Sequence, residues 1–116
     1  MDLPIFVLNF ASGISMLLVI YAAYMMVRHS RGDSAAAFKI ILIGHVPSAL
    51  VHFLASLAYF GVPLIPDENS FFYAVLNHGG QVVSALSVFI AIYVMKRVLF
   101  DKIAKFANRL RGAGDE

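Results

Sequence analysis

Three histidines fall inside long apolar runs: His45 and His52 in GHVPSALVHF, and His78 in NHGG. Neutral imidazole serves as an axial ligand to haem iron and as a hydrogen-bonding group, so spacing decides which chemistry is open to it. Residues seven apart on a helix share a face, one about 10.5 Å above the other. His45 and His52 are so related and cannot both reach one small metal ion. His52 stands nine residues before Gly61, and His78 eight after Ser70. At about 1.5 Å per residue both lie roughly 12–14 Å from the same end of their helices. Two imidazoles at one depth, with no thiolate or carboxylate near, suit the axial positions of b-type haem, and Gly79 and Gly80 would let a flat macrocycle approach the backbone. The expected cofactor site is therefore His52, His78, Gly79 and Gly80, with His45 as a second site beside Pro47, a residue that favours a kink. Chlorophyll, which needs one imidazole only, suits the pair less well. Plain interhelical hydrogen bonding and a proton path are the other uses of such residues.

The elements that must hold these side chains are membrane spans. Of 116 residues, 60% are hydrophobic and 14% charged, and the mean hydropathy is +0.80. A water-soluble core of this size could not hide so much apolar surface. A spanning helix needs roughly 20 mostly apolar residues, and three stretches reach that length: 5–27, 35–60 and 71–95. From Val98 the pattern changes, with Leu99, Ile103, Phe106 and Leu110 at helical spacing and Lys102, Lys105 and Arg109 on other faces. The expected fold is an all-α integral membrane protein, with a three-helix transmembrane domain (1–97) and a basic amphipathic helix over about 98–111 in a cytoplasmic tail (98–116). Lys102, Lys105 and Arg109 are expected to meet anionic lipid at the membrane surface, and the final GAGDE to be disordered.

All nine Lys and Arg residues fall in two places, around the first loop (Arg28, Arg31, Lys39) and after the third span. With three spans both lie on one side, which the positive-inside rule makes cytoplasmic, so the N-terminus is expected outside. Asp33 or Ser34 is placed to cap the second helix, and Asn69 or Ser70 the third. The chain has no cysteine, which removes disulfides, thiolate nucleophiles and iron–sulfur clusters together. The acids lie at or beyond the span ends, and there is no phosphate loop or hydrolase motif, so an enzyme is not expected. The nearest anion to the short, membrane-proximal basic tail is lipid phosphate, and no nucleic acid is expected.

Each span carries a small or polar stripe. The second has His45, Ser48, His52, Ser56 and Tyr59, the third has Tyr73, Asn77, Gly80, Gln81, Ser84 and Ser87, and the first has Asn9, Ser12, Gly13 and Met16. Such stripes do not face hydrocarbon; they pack together or meet a partner.

The predicted topology and the basic tail KRVLFDKIAKFANRLRG resemble three-span phage holins and the minor coat proteins of filamentous phages, a likeness of topology and charge that transfers no site. Length, span number and histidine content are similar to the membrane anchors of succinate dehydrogenases, whose usual orientation and Arg- and Ser-containing quinone motifs are not found here. The leading expectation is a small non-catalytic membrane subunit of a larger complex, or a homo-oligomer, carrying haem b for electron transfer. The alternatives are an oligomeric permeabilising or virion membrane protein, and a structural or assembly subunit without cofactor.

Overall fold

The computed structural model describes residues 1–65 and 70–114. They form three long helices and, among the described residues, no strand: α1 (Leu3–His29), α2 (Asp33–Ser56) running into a 3-10 turn (Leu57–Phe60), and α3 (Phe71–Gly114). All three are long and apolar enough to cross a membrane.

The ends follow from local chemistry. Pro4 sits in the first turn of α1, where its missing N–H has no partner to lose. Gly32, at φ 61°, takes the position before α2, and Asp33 is already helical with no side-chain cap. The expected cap by Asp33 or Ser34 is thus replaced by a glycine at positive φ. Asp33 instead places its carboxylate in the first turn, where the helix dipole favours it. Gly61, at φ 78°, ends the 3-10 turn, and the N–H of Val62 reaches back to the Leu57 carbonyl at 3.1 Å. Ser70 caps α3, its Oγ accepting from the Tyr73 N–H at 3.1 Å; Asn69 lies outside the described residues.

Two further expectations change form. The third span and the basic segment are one continuous helix of 44 residues. At about 1.5 Å per residue it is roughly 66 Å long, which accounts for most of the molecule's 75 Å long axis. The helix also runs on through Gly112 and Ala113 to Gly114, where disorder was expected; residues 115–116 lie outside the described part. The helix signal of RVLFDKIAKFANRLR simply extends without a breaker between Met95 and Leu99.

The packing inverts that of a soluble protein. α2 lies between α1 and α3, each of which packs on it rather than on the other. Buried apolar residues are nearly all small: Ala23, Ala37, Ala49, Ala55 and Ala91, with Val51. Large side chains such as Leu8, Ile43 and Phe89 point outward. In lipid there is no hydrophobic drive between helices, so close backbone approach and hydrogen bonds hold them, and small residues line the contacts. A Cβ on Gly44 would overlap Ser87, and one on Gly80 would lie 3.3 Å from the Ser48 Cα. On the other flank the Phe53 ring covers Gly13. Phe6 stacks on Tyr59 with centroids 4.5 Å apart, and Phe10 meets Phe53 edge-on at 5.8 Å.

Candidate functional site

The polar stripe of α2 is turned inward. His45, Ser48, His52 and Ser56 are all buried, while Tyr59 is exposed beside Phe6. The His52 Nδ1 lies 3.3 Å from Asn9 Oδ1, a polar contact between α2 and α1. The amide oxygen can only accept, so this tautomer carries its proton on Nδ1 and leaves Nε2 as a free acceptor. His45 behaves alike: its Nδ1 donates to the Ile41 carbonyl at 2.7 Å. Ser56 returns its hydroxyl to the His52 carbonyl at 2.8 Å. Ser48 Oγ is buried and has no hydrogen-bond partner among the described residues.

On α3 the buried residues are Gly80, Ser84, Ser87 and Ala91, a single row with successive members three or four residues apart that faces α2. Ser84 Oγ donates to the Gly44 carbonyl at 3.1 Å, and Ser87 Oγ to the Ser84 carbonyl at 2.7 Å. His78 precedes Gly80 by two positions, about 200° round the helix, and is exposed. Gly79 beside it has open space where a Cβ would stand. Gln81 is exposed one turn further on, and Asn77 is half-buried with its Oδ1 unpartnered among the described residues.

His52 and His78 share a depth but not a facing direction. Contacts of Gly80 with Ser48 and of Gly44 with Ser84 and Ser87 set an antiparallel register that puts His78 level with residues 50–53 of α2. His52 is in that range, so the two imidazoles share a depth. They do not share a space, because His52 turns to Asn9 on α1 and His78 turns away from α2. Gly80 does not form an open surface for a macrocycle either; it is the contact point for Ser48. A site between His52 and His78 is thus not assembled within one chain. Spacing gave the height of each residue, while facing depended on which flank of α2 each neighbour occupies.

Sequence reasoning placed Asn9 on the α1 stripe without matching it to His52, and it missed Gly44. The available signal was the small-residue row Ala37 and Gly44, seven apart, facing Ser84, Ser87 and Ala91. Among the described residues no three His, Asp or Glu side chains gather as a metal site would need. Lys102, Lys105 and Arg109 are exposed on the last part of α3, as are Leu99, Ile103, Phe106 and Leu110.

No family model, no curated protein and no solved structure matches this chain.

Proposed function

We propose that this protein is a small, non-catalytic integral membrane subunit that works in association, with its N-terminus outside and its C-terminus in the cytoplasm. The observation that carries the reading is the outward polar face of α3. His78 and Gln81 are three residues apart on one side of a spanning helix, exposed, and without a hydrogen bond among the described residues. Nearly all other stripe groups are satisfied or covered within the chain. A polar side chain left against hydrocarbon is costly, and a second helix that supplies donors and acceptors relieves it. The partner is another membrane subunit or a second copy of this chain.

The test is the particle mass after mild detergent extraction from the native membrane, comparing wild type with His78→Leu/Gln81→Leu. The wild type should run as a complex that the double variant loses. A wild-type chain that runs as a lone monomer overturns the reading.

Haem b remains the second reading, in altered form. His78 offers an imidazole on an open surface beside Gly79, so an iron held there would take its other axial ligand from the partner. In a parallel two-fold pair the two copies of His78 lie at equal depth by symmetry. The cofactor would supply one-electron transfer; the chain would supply the imidazole, a glycine that leaves room, and an apolar surround. The permeabilising alternative draws its support from topology and charge, and less from packing that turns most stripe residues inward.

A further inference from the structure

Beyond association through His78 and Gln81, a second surface points to a ligand of its own. At the end of the helix pair where the basic residues collect, α2 and α3 border a groove of about 490 Å³, lined by Ala37, Phe38, Ile41, Ile92, Met95 and Leu99 among others, together with Lys96. That volume is within the roughly 300–1,000 Å³ of ordinary ligand sites. Every lining side chain but one is apolar.

Lys96 is the exception, and its charge is not neutralised. It forms no ion pair among the described residues; its ammonium lies over the Phe100 ring, 5.7 Å from the centroid. Phe100 is one turn further toward the basic end, so the lysine stem runs along the helix and lifts its charge out of the apolar zone. Asp33 is at the same level in the antiparallel register but does not pair with it. Arg97 and Lys102 follow on α3 with Asp101 between them, so cations outnumber acids on this stretch of the helix.

We propose that this groove is a binding site for one anionic phospholipid, with an acyl chain lying against Ile41, Ala91 and Ile92 and the phosphate at Lys96. The occupant is chosen by complementarity: an apolar slot, open at the side to hydrocarbon, topped by an unneutralised cation at headgroup level, matches a molecule with a long apolar tail and an anionic head. Basic pockets between spanning helices bind acidic lipid headgroups by this logic. A neutral helix from another protein would fill the slot but leave Lys96 without its anion.

The test is native mass spectrometry of the full chain in detergent, titrated with phosphatidylglycerol or phosphatidylcholine. One phosphatidylglycerol should persist under activation that strips phosphatidylcholine. Lys96→Gln should weaken retention roughly fivefold, as expected for one cation near the surface, while Lys96→Arg should keep it. Ile92→Trp adds bulk at a position already exposed, so the fold tolerates it, and it should exclude the lipid. Arg28→Gln, on α1 over the Tyr24 ring and outside the groove, should change nothing. Equal retention of both lipids, or equal effects of Lys96→Gln and Arg28→Gln, overturns the site in favour of diffuse attraction. A protein dimer lost in Ile92→Trp, with no lipid adduct in the wild type, overturns it in favour of a second copy.

Discussion

The Ser84 hydroxyl donates to the carbonyl oxygen of Gly44 at 3.1 Å, a hydrogen bond from the side chain of one spanning helix to the backbone of the next. It requires the two helices to approach more closely than most side chains allow. Gly44 permits this by having none, and Ser87 occupies the space that a Cβ there would take. The pair explains why the interior is made of Ala, Gly and Ser while the Leu, Phe and Ile residues face outward.

Gly44→Ala should therefore destabilise the fold by about 1–3 kcal/mol, the usual cost of overpacking a close contact. Gly79→Ala should fall within about 0.5 kcal/mol of wild type, since nothing lies within 4 Å of the new methyl group. Reversible unfolding in detergent, followed by circular dichroism, measures both. A similar loss at the two positions would show that α2 and α3 do not meet at Gly44.

Asn9 and His52 tie α1 to α2, and their coupling is measurable. A double-mutant cycle of Asn9→Ala and His52→Ala should return about 0.6 kcal/mol, with roughly 1.7 kcal/mol as the upper end for such bonds in a membrane protein. Additive single effects would mean that His52 is buried for its shape alone.

Much of this was legible in the sequence, and what was not has a physical cause. Hydrophobic length located all three spans, because the bilayer sets it and no tertiary contact is needed. Stripe composition foretold that His45, Ser48, His52, Ser84 and Ser87 would avoid hydrocarbon, either by packing together or by meeting a partner, and the structure buries them within the chain. Facing was not legible: His52 and His78 are equally deep, but only the arrangement of α1 and α3 on two flanks of α2 decides that one meets Asn9 and the other leaves the bundle. Helix continuity past Met95 was obscured for a different reason. Polarity changes there as the chain leaves hydrocarbon, yet no residue interrupts the backbone hydrogen bonds.

Orientation can be read directly, because a chain without cysteine accepts single reporters without background. Asp2→Cys should react with a membrane-impermeant maleimide on intact cells. Arg109→Cys should react only after permeabilisation, since the Lys and Arg residues gather on its side. The reverse pattern would invert the topology and place His78 toward the cytoplasmic half.

The exposed imidazole of His78 makes the haem reading decisive to test. The detergent-purified complex, prepared with haem precursor available, would be recorded oxidised and then dithionite-reduced. If the partner completes the ligation, a Soret band and sharp reduced α and β bands should appear, and His78→Ala should abolish them. His52→Ala should keep them, because His52 is turned to Asn9 inside the chain. Loss of pigment in both variants would mean that α1 and α3 rearrange to bring the two imidazoles together. A featureless spectrum from an intact complex would leave His78 as a hydrogen-bonding contact between subunits, with Gln81 beside it in the same role.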